Sequence, residues 1–155
     1  MYCEEKILSS QFGDIEHIKP KSKFQELEFE WNNLGLVCSK CNSAKHDKYD
    51  EETPFINPYD EDPESNIVAA GATLWAKQGS ERGELTISEI TLNRNELIEK
   101  RYEKIKTIKK AINECFRTKN KNLTKNALEE LKKESDGDKE YSLCVKHFLK
   151  AHDIS

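Results

Sequence analysis

The sequence predicts an α+β fold: a small N-terminal unit of two short strands and one helix, followed by an α-helical C-terminal extension. Three observations predict it. Two β-type runs, Phe12–Ile18 and Leu34–Cys38, stand either side of a loop that contains Pro20. A Cys-x-x-Cys pair, Cys38 and Cys41, then opens a polar segment of helical composition. Beyond Leu92 the residues Leu97, Ile98, Tyr102, Ile105, Ile108, Ile112, Cys115 and Phe116 recur at spacings that lay an apolar stripe along one long amphipathic helix.

Taken in order, the first strand is stopped by Pro20, and Lys19-Pro20-Lys21-Ser22-Lys23 reads as a loop. Leu34-Gly35-Leu36-Val37-Cys38 is a buried strand that follows a loop anchored by Trp31. The helix after it runs over Ser39–Lys48, ahead of the Thr53-Pro54 break, with Cys41 and Asn42 in its first turn. Asn57-Pro58 and Asp62-Pro63 then mark turns, and Glu84–Ile90 reads as a strand, so a hairpin or irregular covering layer is expected. Asn93, with Glu96 three residues on, resembles an N-cap with its reciprocal partner. Shorter helices are expected over Lys125–Lys133 and Lys139–His152, and Cys115 and Cys144 fall on apolar helix faces as core thiols. The resulting division is 1–52, 53–92 and 93–155.

Composition narrows the class. Of 155 residues, 35% are hydrophobic and 35% charged, and there is no apolar run of membrane-spanning length. Met1–Ser10 carries no basic patch followed by an apolar stretch, so a cytoplasmic protein is expected. A net charge of -4 excludes a domain that coats nucleic acid by bulk electrostatics; any such contact is local, with Lys19–Lys23 and Lys100–Lys125 as the basic runs. Five cysteines are an odd number, and in a reducing compartment Cys-x-x-Cys points to metal or redox chemistry before a disulfide.

The chemistry-bearing residues lie between Asp14 and Lys45: Asp14-Ile15-Glu16-His17, then Trp31-Asn32-Asn33-Leu34, then Cys38-Ser39-Lys40-Cys41-Asn42-Ser43-Ala44-Lys45. Singly each is ordinary, since acid–histidine neighbours are common and Cys-x-x-Cys serves many ends. In this order and spacing the stretch resembles the HNH endonucleases, whose ββα-metal core cuts phosphodiester bonds. The resemblance implies that Glu16 is a metal ligand, that His17 is the general base, and that Asn33 holds the loop and orients His17. It also implies that Asn42, after the second cysteine, completes the triad as a metal ligand, an H-N-N variant by family letter.

Elementary chemistry agrees. A histidine near neutral pKa suits removal of a proton from water, and Glu16 and Asn42 offer oxygens to a hard divalent cation, Mg²⁺ or Mn²⁺. Neighbours in a strand point to opposite faces, so Glu16 and His17 share a site only if the strand ends or bends there. Asp14, two before Glu16, is a supporting ligand or an acceptor behind one. Lys45, three after Asn42, falls on the same helix face, suited to a substrate phosphate; Lys19 and Lys21 are further substrate contacts.

Cys38 and Cys41 form half of a structural Zn²⁺ site. Relatives in the family supply the other half from a Cys-x-x-Cys just upstream of the first strand. Cys3 matches its second cysteine, while the first would fall one position before Met1, so a start one residue too late, His46, water, the N-terminal amine or no zinc at all remain open. Further on, Phe55-Ile56-Asn57-Pro58-Tyr59-Asp60-Glu61-Asp62-Pro63 and Leu92-Asn93-Arg94-Asn95-Glu96-Leu97-Ile98 resemble HNH proteins found beside an ATPase in Septu-type and retron-linked anti-phage systems. That likeness implies an effector nuclease acting on DNA before RNA, with an ATPase partner docked on the helices. The alternative is a latent or inactive zinc-stabilised nucleic-acid-binding subunit.

Overall fold

The computed structural model describes residues 1–7 and 12–154. Its elements run β1 (Asp14–His17), β2 (Leu34–Val37), α1 (Ser39–Lys45), β3 (Ile67–Ala70), β4 (Thr73–Ala76), α2 (Glu81–Glu89), α3 (Asn95–Arg117), α4 (Lys121–Lys132) and α5 (Ser142–Lys150). Short 3₁₀ turns include Gln25–Leu27 and Trp31–Asn33. Among the described residues, five helices and two small antiparallel sheets make the α+β class expected from sequence. Among the described residues no helix is long and apolar enough to cross a membrane.

The chain forms two compact units. The first comprises Met1–Ile67 and Trp75–Asn93. Its β1 and β2 pair antiparallel in the register Asp14↔Val37, Ile15↔Leu36, Glu16↔Gly35 and His17↔Leu34. Directly opposite residues share a face. Asp14, Glu16, Gly35 and Val37 therefore form one face, on which Glu16 and Val37 are buried. Ile15, His17, Leu34 and Leu36 form the other. The loop after α1 is tied to α2: Ile56 donates its N–H to Thr86 Oγ1 at 3.0 Å, and Arg82 donates to Glu61 through both terminal nitrogens (3.0 and 2.5 Å) and to the Pro54 carbonyl at 2.8 Å. A planar guanidinium holding a carboxylate by two bonds fixes both distance and orientation.

The second unit comprises Val68–Leu74 and Arg94–Ser155. The apolar stripe of α3 meets α5 in a core of Ile108, Ile112, Val145, Leu149 and Ile154, flanked by Leu128, Leu131 and Phe148.

Several boundaries differ from the sequence reading: β1 is shorter at both ends than Phe12–Ile18, β2 stops at Val37, and α1 ends at Lys45 rather than Lys48. Glu84–Ile90 is not a strand but lies largely within α2. Its alternating Leu85, Ile87 and β-branched content mimics a strand, but Ser80 Oγ accepts the Gly83 N–H at 3.0 Å, and Glu81 and Glu84 favour the positive end of the first helical turn. The long helix starts at Asn95, with Arg94 rather than Asn93 at the cap position. The helix expected at Lys125 begins at Lys121, because the Asn120 side chain accepts from the N–H groups of Asn122 and Leu123. The last helix is Ser142–Lys150, preceded by Tyr141 in the left-handed region at φ 56°.

Candidate active site and metal centre

The end of β1 brings groups from both faces of the strand to one cavity. Glu16 points toward α1 and His17 toward the opposite face, yet both line a cleft of about 360 Å³ with Asn42, Ser43 and His46 from the α1 side and Lys21 from the loop. Each of the three central groups is held from behind by one partner.

His17 Nε2 lies 3.0 Å from the Glu28 carbonyl oxygen. A carbonyl only accepts, so Nε2 carries the proton and Nδ1 presents the lone pair. That carbonyl is delivered by the 19–33 loop, which Asn33 holds together. Asn33 Nδ2 donates to the carbonyls of Lys19 (3.0 Å) and Leu27 (3.1 Å), and Asn33 Oδ1 accepts the Lys19 N–H at 2.7 Å. Asn33 is buried and does not reach the cleft, so it acts on His17 through the loop.

Asn42 Nδ2 donates to Asp14 Oδ2 at 3.2 Å. A carboxylate can only accept, which assigns the amide nitrogen to that side and leaves Asn42 Oδ1 as the oxygen available to a cation. Asp14 stands behind Asn42 and does not line the cleft. Glu16 is 3% exposed and ion-paired to Lys45, which is 0% exposed and also donates to the His17 carbonyl at 2.9 Å. Burial pushes the Glu16 carboxyl above the usual range, against the opposing pull of the Lys45 ammonium. Its Oε1 is the atom that meets the Lys45 ammonium, so a divalent ion in the cleft would share a carboxylate already held by one cation, with Asn42 Oδ1 as the uncharged donor beside it.

A second constellation lies apart from this cleft. Cys3, Cys38 and Cys41 are all buried, and their sulfurs lie within 4.8 Å of one another. Cys3 and Cys38 Sγ are 3.6 Å apart, far beyond a disulfide and close to the separation of about 3.8 Å that tetrahedral coordination at a Zn–S bond of about 2.3 Å requires. The donor set fits a metal ion. Hydrogen bonding to Cys3 and Cys38, together with burial, pushes the Cys41 thiol pKa up.

The profile of the HNH endonuclease family matches residues 1–48. This stretch is an HNH domain. The chain is also similar to the Septu protein PtuB of Bacillus mycoides (strain KBAB4), 28% identical over 138 residues, covering 69% of this chain and 47% of that protein. It is similar as well to the Septu protein PtuB of Bacillus thuringiensis, 30% identical over 94 residues, covering 60% of this chain and 36% of that protein. The chain thus spans less than half the length of the curated relatives it matches. No solved structure matches it.

Within the HNH domain three basic residues occupy positions other than those the motif suggested. Lys45 is not a phosphate contact: its helix face turns toward β1, where the ammonium is consumed by Glu16 and the His17 carbonyl. Lys19 Nζ sits over the rings of Phe24 and Tyr49, 5.2 and 5.7 Å from their centroids, which engages it away from the cleft. His46 is not grouped with the cysteines; it is exposed, its Nδ1 lies 2.7 Å from Asp47 Oδ1, and it lines the HNH cleft. The signal was present in its spacing, one helical turn after Asn42. Lys21 does line the cleft, and it also pairs with Glu28 at 3.3 Å.

Proposed function

We propose that the chain is a metal-dependent endonuclease that hydrolyses phosphodiester bonds in nucleic acid, DNA in preference to RNA, as the effector subunit of a bacterial anti-phage complex. The observation that carries the reading is the Nε2–H bond from His17 to the Glu28 carbonyl, which fixes the tautomer a general base needs. His17 Nδ1 takes the proton of the attacking water while the backbone carbonyl holds the ring, and Asn33 keeps that carbonyl in position through the loop. Glu16 and Asn42 hold a divalent cation, Mg²⁺ or Mn²⁺, with Asp14 orienting Asn42; the ion supplies charge stabilisation at the phosphate and the leaving oxygen. Lys21 gives the cleft a cationic side chain for a flanking phosphate. Cys3, Cys38 and Cys41 bind a structural Zn²⁺ away from the reaction.

The relatives' printed names, Septu protein PtuB, support the defence role. The proposal includes an ATPase partner and a cytoplasmic location. The exposed Tyr102, Phe116 and Leu123 on α3 and α4 favour docking of the helical unit on that partner, with cleavage latent until assembly.

The test is cleavage of supercoiled plasmid and of total cellular RNA with Mg²⁺, Mn²⁺ or EDTA. Metal-dependent cutting by the wild type is expected, falling by about 10² to 10⁴ in His17→Ala with an unchanged melting temperature. Equal rates in the two proteins would remove His17 from the base position.

A further inference from the structure

The face of the β1–β2 hairpin that carries His17 is apolar where a solvated face would be polar. The cross-strand pair Ile15 and Leu36 stands exposed on it, at 69% and 41%. Trp31 (84% exposed) and Tyr59 (59%) join them around a recess of about 650 Å³. Ile15 also lines the cleft, so recess and cleft adjoin across one side chain.

The recess is a built feature. The Tyr59 hydroxyl accepts the Leu36 N–H at 3.4 Å, and its ring lies so close to β2 that a Cβ at Gly35 would come 3.0 Å from Tyr59 Cε2. The turn that bears Tyr59 is fixed by Asn57, whose Oδ1 accepts the Tyr59 N–H at 3.2 Å and whose Nδ2 donates to Asp60 at 2.5 Å. Glu61, clamped by Arg82, accepts the Asn57 N–H at 3.1 Å. Trp31 opens the 3₁₀ turn that contains Asn33, the residue that steadies the His17 loop.

We propose that this recess holds one unpaired nucleobase of the substrate strand, stacked against Trp31 and Tyr59, while a phosphate of the same strand lies at His17. The inference rests on the nuclease reading and deepens it, naming single-stranded or locally unpaired nucleic acid as the substrate class. Three observations select a base over other occupants. The recess wraps β2, takes in Ile15 and Leu36 from the face that carries His17, and adjoins the cleft through Ile15, so a strand that reaches one reaches the other. Two aromatic side chains supply the flat, sequence-tolerant surfaces on which bases stack. The polar groups on its lining are Asn32 and Asp60; an amide and a carboxylate complement the amino and imino edges of a base, whereas Asp60 repels a phosphate.

The experiment uses the His17→Ala, Trp75→Phe double variant in EDTA, where cutting is suppressed and Trp31 remains as the one tryptophan. A short single-stranded oligonucleotide is expected to quench Trp31 fluorescence to saturation, and a strand of the same length built of abasic residues is not. Tyr59→Ala added to this background should raise Kd roughly tenfold, the size of one lost stack. Equal quenching by the abasic strand, an unchanged Kd in the Tyr59 variant, or equal affinity for a fully paired duplex would overturn the proposal. So would sedimentation showing that Trp31 is covered by a second copy of the chain. Those results leave the nuclease reading standing if the wild type still cuts, whereas absence of all nucleic-acid binding and cutting would defeat both.

Discussion

The hairpin and helix of Asp14–Lys45 and the helical unit of Arg94–Ser155 are held by different chemistry. In the helical unit Ile108, Ile112, Val145, Leu149 and Ile154 leave water together, and non-directional burial does the holding. Around the hairpin, strands of four residues can bury little; the interior there is Glu16, Asn33, Lys45 and three cysteines beside Val37. Directional bonds specify where each atom must be, while apolar contacts tolerate repacking. The proposed nuclease cleft, which uses one lone pair of one histidine, belongs in the first kind of structure.

That contrast can be broken by experiment. The largest effect is expected from removing the metal. Structural zinc in small domains contributes about 10 kcal/mol or more of apparent binding energy. Chelation, or Cys38→Ser with Cys41→Ser, should unfold the first unit, read by tryptophan fluorescence because Trp31 and Trp75 both belong to it. The far-ultraviolet dichroism of α3–α5 should persist. Zinc-free wild-type protein with an unaltered fluorescence melt would reject the structural site. The converse perturbation, Ile112→Ala, should cost about 2 to 5 kcal/mol in the helical unit and leave metal content unchanged. Coupled loss of metal would show that the two chemistries are not separable. Smallest is Asn33→Ala, which leaves two carbonyls and one N–H of the loop without their partner, at about 1 to 3 kcal/mol. Its diagnostic is a fall in kcat without a matching rise in KM; an equal fall in thermal stability with normal kcat would make Asn33 purely structural.

What the sequence discloses differs between the two regions for the same reason. Residue identity announces chemistry, so Glu16, His17, Asn42 and the cysteines could be picked out, and the structure brings the first three to one cleft and the thiols to one cluster. The long helix was legible from its stripe of isoleucines. Depth was not legible. Helical spacing gives Lys45 the face of Asn42, but only the approach of β1 decides that this face is interior and that the ammonium meets Glu16. Nor could periodicity separate strand from helix over Glu84–Ile90, where the Ser80 cap decides the matter from outside the segment. Long-range pairs such as Arg82 with Glu61 leave no local signature at all.

The burial of Lys45 has a use in the laboratory. An amine with no solvent contact, held by a carboxylate and a backbone carbonyl, is shielded from acylating reagents until β1 and α1 part. Its rate of modification, measured against that of exposed Lys40 by mass spectrometry, becomes a clock for opening of the hairpin. Ligands that close the site should slow that clock, whether or not any bond is ever cut.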